Sequence, residues 1–546
     1  MKAHFSLLIL LSIVLSASNS IAQSVQWVKQ LGAQGYSLKA DASDHFYITG
    51  SFENNIMFGG IPLSSNGQTD IYITKYNLFG EILWVKTAGG EWYDEGFSLA
   101  MAPNGEYVYT TGFMNNALFE DTTIAGYPFF VAKHDSSGKM AWVKALITSG
   151  GGGASSISTD PAGNLYFVCS ADGLTVPDSL TYSGSSYFIA KLGPEGTMRW
   201  IKGTNRYWNS IAVQPSGIVC DRNNSVYATG SLQTCIIELD SIHSLVPEGI
   251  MNAFIVQYDS NGNVLKALQS KGTGMAIPNS IAVDSACNMY ITGCFEGSIK
   301  FGEISLQSAG KFDVFTAKYD STGAVQWAVS AGGVSYETSR SIKVGIDGNV
   351  YIAGINSKGA NFENSNLTKS GAFIAKYSGQ GNLLYVKTLC SVNETSVYGD
   401  NFLIRDIEVL GNDDILVTGF FDIPLTFETG TLSSAGGRNI FIAKIVKTQT
   451  NVEQDKFLPL SFILHQNYPN PFNPSTTINY QVSVNSYVSL IIYDVLGREV
   501  AKLVNEDQSA GTYSVVFNAA QLPSGVYFYK LVAGTFSETK KLILLR

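Results

Sequence analysis

Charge, histidine and usefully spaced cysteine are all scarce in this sequence. Charged residues are 14 % of 546, with a net charge of −9. No basic excess exists to neutralise phosphates, so nucleic acid is excluded as a partner. There are five histidines. Beyond the N-terminal one, His45, His134, His243 and His465 lie far apart, so no histidine-based metal site or triad is expected. Cys169, Cys220, Cys235, Cys287, Cys294 and Cys390 show no CxxC pair and no zinc-finger spacing. They read as small buried side chains, although an exported chain could oxidise a pair. The catalytic elbow GxSxG, the metal motif HExxH, a Walker A loop and EF-hand spacing are all missing. No catalytic residue, metal or cofactor is therefore expected.

Long apolar runs are also missing, except at the start. Lys2 precedes the apolar stretch Phe5–Leu15, and Ser20-Ile-Ala22 has the small-x-small form that a signal peptidase cuts after. Residues 1–22 are read as a signal peptide for Sec export to the periplasm. The stretch is too short for a stable membrane anchor, and no later segment is apolar for long enough to span a bilayer as a helix.

What is plentiful is aromatic residues, at 12 %, and glycine, at 54 residues. That profile suits many short strands joined by tight turns. Self-similarity then dominates. One unit is a strand ending in glycine: YITG at Tyr47, YTTG at Tyr109, YATG at Tyr227, YITG at Tyr290, YIAG at Tyr351 and LVTG at Leu416. YFVC at Tyr166 fills the third slot, which makes seven copies spaced 57 to 65 residues apart. A second unit alternates with it, as in FIAKYSGQGNLLYVKT from Phe373. Within it a glycine follows the lysine position by five residues, at Gly80, Gly138, Gly196, Gly262, Gly323 and Gly381. A large side chain follows by nine: Trp84, Trp142, Trp200, Lys266, Trp327 and Tyr385. Such spacing predicts a hairpin of constant register with glycine in the left-handed region.

The seventh copy, Ile440–Thr450, has the first strand of this hairpin and then stops, while VQWVKQLG at Val25–Gly32 stands at the other end with no partner. The expectation is that these two pair. The repeats then close into an all-β ring: a seven-bladed β-propeller with four-stranded blades over 23–447, its N-terminal strand completing the last blade. The D-x-x-G-N pattern before the YITG strand, matched at Asp347-Gly348-Asn349 before Tyr351 and at Asp160-Pro-Ala-Gly163-Asn164 before Tyr166, followed by FIAKYD-x-x-G and W, resembles the SBBP-type β-propeller repeat proteins of bacteria. That resemblance speaks to architecture and implies no general activity.

A polar linker is expected over 448–461. Beyond it, Pro469, Pro471 and Pro474 predict an extended lead-in across Phe462–Val482, since proline forbids helix and most sheet pairing. Five alternating strands follow, of the kind that build a small Ig-like β-sandwich. Residues Asn467, Tyr468, Pro469, Asn470, Pro471, Phe472, Asn473 and Pro474, the glycines Gly497 and Gly525, and the closing Lys540 and Lys541 resemble the type A C-terminal sorting domain of type IX secretion cargo, over 462–546. The resemblance implies the type IX machinery as a partner, passage across the outer membrane, and a secreted or cell-surface location.

Two features recur around the ring. The third-strand lysines Lys75, Lys133, Lys191, Lys318, Lys376 and Lys444 would form a circle. They read as stems covering apolar neighbours with wet ammonium groups, in preference to an anion-binding surface. The loops between units collect aromatics and acids: Trp92, Tyr93, Asp94, Glu95, Tyr207, Trp208, Tyr336 and Glu337. These are the candidate ligand-binding residues, suited to stacking on a glycan or gripping a protein. Asp94 and Glu95 could alternatively serve a polysaccharide hydrolase or lyase, although neighbours in a strand point to opposite sides. A structural surface component is the third reading. The D-x-x-G turns offer too few carboxylates for calcium.

Overall fold

The structure is a computed structural model that describes residues 22–126, 129–148, 153–171, 173–176, 180–183, 187–204, 213–233, 236–392, 402–434, 438–448, 462–464, 466–467, 470–508, 511–534 and 536–545. The predicted signal peptide up to residue 21 and most of the predicted linker lie outside them. The chain divides into a unit of Gln23–Lys447 and a second unit that includes Thr448–Arg546. Every regular element among the described residues is a strand.

Among the described residues the larger unit shows seven four-stranded antiparallel sheets. Sheet one runs Gln34–Ala40, His45–Phe52, Asp70–Asn77 and Ile82–Gly89. The innermost strands of sheets two to six are Glu95–Met101, Gly153–Thr159, Val213–Cys220, Met275–Val283 and Thr338–Val344. Sheet seven takes Phe402–Val409, Ile415–Phe421 and Asn439–Thr448 from the end of the unit, and its fourth strand, Ala22–Leu31, from the beginning. Each innermost strand touches the next, and Phe402–Val409 touches Gln34–Ala40, so the succession closes.

The apolar core lies between sheets. Phe129 and Val131 of sheet two pack with Phe167 and Phe188 of sheet three in one cluster. Leu416 and Ile442 of sheet seven pack with Phe46 and Ile48 of sheet one in another. One face of a sheet is useless without its neighbour, which is why the units come as a closed succession. The outer edges are covered as well. The small hairpin Ala117–Phe119 and Thr122–Ile124 of the second repeat pairs with the outer strand of sheet one, and Leu425–Phe427 does the same for sheet six. Such cover blunts an otherwise open edge.

A second set of contacts ties most sheets to the next, and it explains the repeated glycine, lysine and tryptophan together. Trp84 Nε1–H donates to the Ser136 carbonyl in the following hairpin turn at 3.1 Å. Trp142, Trp200 and Trp327 donate likewise to Pro194, Ser260 and Gly379. The lysine of the same sheet reaches the same carbonyl: Lys133 to Pro194 at 3.0 Å, Lys191 to Ser260 at 3.1 Å and Lys318 to Gly379 at 2.9 Å. The indole then lies over the turn glycine. A Cβ on Gly138 would stand 2.8 Å from Trp84, and one on Gly381 2.8 Å from Trp327. Both glycines have φ near +85°, so side chains are refused twice over. At the seam Trp27 donates to the Leu78 carbonyl at 3.1 Å and packs near Gly80, so the N-terminal strand carries the same latch for sheet seven.

The expectation of wet lysine ammonium groups is corrected here. Lys75 and Lys191 keep 9 % and 11 % side-chain exposure, and the ammonium is held by a carbonyl and by the tyrosine ring of the neighbouring strand. The fourth unit swaps its parts. Gln257 stands where lysine is usual, and Lys266, at the tryptophan position, donates to Gln257 Oε1 at 2.9 Å.

The second unit has two sheets. One orders Ile463–Leu464, Ser475–Val482 and Gly511–Asn518, and the other Glu499–Gln508, Ser486–Tyr493, Gly525–Ala533 and Phe536–Leu544. Its core includes Phe472, Ile478, Tyr480, Leu490, Tyr529 and Leu542. The predicted lead-in is therefore corrected: Ser475–Val482 is a full strand paired with Gly511–Asn518. The prolines end at Pro474, and beyond them Thr476, Ile478, Tyr480 and Val482 alternate inward, a period that proline does not interrupt.

Candidate functional site

The innermost strands define a central channel, and a repeated irregularity shapes it. Each has a β-bulge at one register, between Gly35 and Ser37 in sheet one and between Ile404 and Asp406 in sheet seven, with the same slip in the five between. A bulge re-aims side chains and strengthens twist. The residue after it ties one sheet to the next. Leu99 N–H donates to Ser37 Oγ at 3.2 Å, Ile157 N–H to Ser98 Oγ at 3.3 Å, and Ile342 N–H to Ser280 Oγ at 3.3 Å. In sheet seven the serine is replaced by Asp406, and Leu38 N–H of sheet one donates to its Oδ2 at 3.0 Å.

Asp406 anchors the channel middle. Ser341 donates to its Oδ1 at 2.8 Å, Ile407 N–H to the same oxygen at 2.9 Å, and Lys39 stands 3.5 Å from Oδ2. Lys343 pairs with Glu408 at 2.9 Å. Burial pushes the Asp406 carboxyl up, but Lys39 and Lys343 outweigh it, and the net shift is downward. Every oxygen of Asp406 is thus spent inside the ring.

The bulge residues themselves fall into three sectors around a cavity of about 320 Å³. Tyr36 and Phe97 supply an aromatic sector, their rings edge to face at 5.9 Å. Ser155, Ser216 and Asn279 supply hydroxyls and an amide. Arg340 and Arg405 supply charge. The Arg405 guanidinium lies 5.0 Å over the Tyr36 ring and 5.1 Å over Phe420, and Arg438 lies 5.1 Å over the same Phe420 ring. Gln34 Oε1 accepts from Tyr36 and from Arg438. Arg405 Nε and Arg340 Nε are buried with no hydrogen-bond partner. Burial, then Arg340 and Arg438 nearby, lowers Arg405 to about 10.

The loop residues singled out in the sequence separate into three kinds. Trp92 and Tyr93 are exposed, at 49 % and 55 %. Asp94 and Glu337 are fully buried structural clamps. Asp94 accepts from Gly90 N–H at 2.8 Å and Asn115 N–H at 2.6 Å. Glu337, at the same place before sheet six, accepts from Gly333 N–H at 2.8 Å and Ser357 N–H at 3.2 Å. Each thereby holds its loop to the connection of the next strand. Burial raises both carboxyls, Glu337 to about 7. Glu95 does not share the Asp94 site: burial raises it, while Arg405 and Arg438 pull it back. Tyr336 packs near Phe312 and under Lys311. Tyr207 and Trp208 lie outside the described residues. The sequence reading missed Arg340, Arg405 and Arg438, which occupy no repeated charged position.

The sorting motif is stitched to the last strand of its unit. Asn467 is buried, its N–H donating to Tyr529 Oη at 2.9 Å and its amide to Thr476 at 3.0 Å. Asn470 Oδ1 accepts from Ile543 N–H at 2.9 Å, and Phe472 exchanges backbone bonds with Ile543 and Leu545. Gly497, at φ +76°, closes the Asp494 turn, Gly525 opens the strand that pairs with Phe536–Leu544, and Lys540 lies 3.0 Å from Glu538 while Lys541 is exposed. Tyr468 and Pro469 lie outside the described residues.

Residues 466–545 match the family described as the secretion system C-terminal sorting domain. The chain thus carries a type IX sorting tail, which assigns it to export, either to the cell surface or by secretion. The chain is 23 % identical over 514 aligned residues to an uncharacterized WD repeat-containing protein of Acanthamoeba polyphaga mimivirus, covering 74 % of this chain and 36 % of that protein. It is 26 % identical over 140 residues to the regulatory protein FlaEY of Caulobacter vibrioides, covering 25 % of this chain and 15 % of that protein. It spans well under two thirds of either relative. Among solved structures, PorZ, a surface component of the type IX system of Porphyromonas gingivalis, is 12 % identical with a TM-score of 0.23, over 94 % of this chain and 82 % of PorZ. A family 43 arabinoxylan arabinofuranohydrolase from Bacillus subtilis is 11 % identical with a TM-score of 0.26, over 94 % and 96 %. Neither score supports a shared fold or role.

Proposed function

We propose that the chain is a non-enzymatic binding protein of the cell exterior. A Sec signal peptide carries it to the periplasm. Residues 23–447 form a seven-bladed β-propeller of the SBBP type, and an Ig-like sorting domain hands it to the type IX machinery for passage across the outer membrane. The propeller then engages an extracellular glycan or protein through its inter-sheet loops, with Trp92 and Tyr93 as stacking surfaces.

The observation that carries the non-enzymatic reading is the fate of the acidic loop residues. A glycoside hydrolase needs two carboxyl groups flanking the scissile bond. Asp94 and Glu337 have both oxygens turned onto backbone N–H groups, so neither is free to protonate a leaving group or activate water. The aromatic side chains beside Asp94 remain exposed and unspent. A glycan array and a polysaccharide-degradation assay on the full chain test this. Binding without cleavage, lost in the Trp92→Ala, Tyr93→Ala double variant, is the expected result. Polymer cleavage abolished by Asp94→Asn would overturn it in favour of a hydrolase or lyase, and neither binding nor cleavage would favour a structural surface component.

A further inference from the structure

The channel mouth at the bulges is chemically unlike the rest of the ring, and the loop aromatics do not explain it. Five of its seven bulge positions are neutral, while the two cationic ones are neighbours, Arg340 on sheet six and Arg405 on sheet seven. Arg438 brings a third guanidinium to the same Phe420 ring that Arg405 covers. Among the described residues none of the three makes an ion pair. Asp406, one residue from Arg405, is consumed by Lys39, Ser341 and two backbone N–H groups. Glu95 faces Arg405 and Arg438 with Glu53 beside it, and makes no ion pair with either arginine among the described residues.

Such an arrangement is costly as it stands. The Nε–H groups of Arg340 and Arg405 are buried without an acceptor, and a buried donor that has lost its hydration is a cost that stacking on Tyr36 and Phe420 offsets only in part. Clustered like charges raise the cost further. The ring gives nothing back for it, because sheets two to five close equally well with Phe97, Ser155, Ser216 or Asn279 at this register. The cost is offset when an oxyanion enters, and a carboxylate matches the planar fork of guanidinium best.

We propose that this mouth is a binding site for an acidic sugar, a saccharide unit that carries one carboxylate. The carboxylate seats on Arg340 and Arg405. The sugar's apolar face lies toward Tyr36 and Phe97, and its hydroxyls face the serine and asparagine sector. The sectors argue for this class over a bare anion, because a simple oxyanion would use the arginines and leave the Tyr36 and Phe97 rings and the Ser155 hydroxyl idle, while the Asn279 amide is already held by Thr338 and Ser339 and offers its oxygen. A cavity of about 320 Å³ is at the lower end of the range that small ligands occupy.

Calorimetric titration of the full chain with glucuronate, glucose and inorganic sulfate tests the site. Glucuronate is expected to bind at least tenfold more tightly than either of the others. Arg340→Gln and Arg405→Gln are each expected to weaken it at least tenfold with an unchanged melting curve, while Arg498→Gln, in the other unit, leaves it unaltered. Should Arg405→Gln fail to fold, Arg405→Lys keeps the charge without the fork and is expected to weaken binding severalfold. Sulfate binding as tightly as glucuronate would reduce the site to a plain anion site and overturn the proposal. Equal binding of glucose, no binding of glucuronate, or full retention by the arginine variants would also overturn it. Trp92→Ala is expected to leave glucuronate binding intact, so failure here is distinguishable from failure of the loop-aromatic reading.

Discussion

The periphery of the ring and its channel solve opposite problems with the same strands. At the periphery the same parts recur: an indole, an ammonium and a turn glycine joined at one carbonyl, from Trp84 and Ser136 to Trp327 and Gly379. In the channel the backbone bulge recurs but the side chains do not: tyrosine, phenylalanine, serine, asparagine and arginine occupy one register. Repetition marks what every sheet needs in order to dock on its neighbour. Departure from repetition, on a backbone that stays constant, marks what only one place in the ring needs. Residues of function are therefore to be sought where the pattern breaks.

That contrast can be broken in graded steps. Removing the strand Ala22–Leu31 should have the largest effect, since it exposes the edge of Asn439–Thr448 and deletes the Trp27 latch. Truncating one buried large side chain costs about 3–5 kcal/mol, and this deletion removes the partly buried Trp27 together with the buried Val25 and a whole ladder of strand bonds, so denaturant unfolding should show a loss of about that size or more. Asp406→Ala comes next. It strands Lys39, two serine hydroxyls and the Leu38 N–H at the seam, and breaking a buried ion pair costs about 3–5 kcal/mol. Chemical denaturation with an unchanged m-value is the check. Gly138→Ala should cost about 1–3 kcal/mol, because it forces a side chain into left-handed backbone against Trp84. Gly348→Ala has the same left-handed backbone and open space, so the difference between the two isolates the latch.

A smaller effect is expected from pH. Burial raises Glu337 from 4.5 to about 7 and Asp70 from 3.8 to about 6. Folded protein then holds protons that the unfolded chain has released, so the contribution of these two groups is fullest below about pH 4 and falls as pH rises toward 7. Glu337→Gln should make the slope shallower at its upper end, which thermal melts from pH 4 to 7 can measure. The smallest effect belongs to Trp92→Ala, a half-exposed loop side chain. Its stability change should stay within about 0.5 kcal/mol, while binding on the glycan array weakens and glucuronate binding is unchanged.

The amino-acid pattern exposed the periphery well because its parts sit at constant sequence intervals. The hairpin glycines all adopt positive φ, and the unpaired VQWVK strand lies beside the last repeat strand. What the latch does was not readable, since the shared carbonyl belongs to the next repeat, some 50 to 60 residues on. The channel was harder still. Arg340 and Arg405 stand one repeat apart, as do Gln34 and Glu95, but the residue type at these registers does not recur around the ring, and the innermost strands are too short and mixed to betray a bulge. One signal was available: a small residue three before the end of most innermost strands, Ser37, Ser98, Ser280 and Ser341, becomes Asp406 in the seventh. The acidic loop residues misled for a physical reason. A carboxylate beside glycines looks like chemistry in sequence, but here it replaces the missing acceptors of a buried loop.

The most direct test of the division between latch and channel compares Trp327→Ala with Arg405→Gln in the same two measurements, thermal melting and glucuronate titration. Trp327→Ala should melt earlier yet bind glucuronate normally while folded, and Arg405→Gln should melt normally yet bind at least tenfold more weakly. The reverse pattern, or one variant losing both properties together, would contradict it.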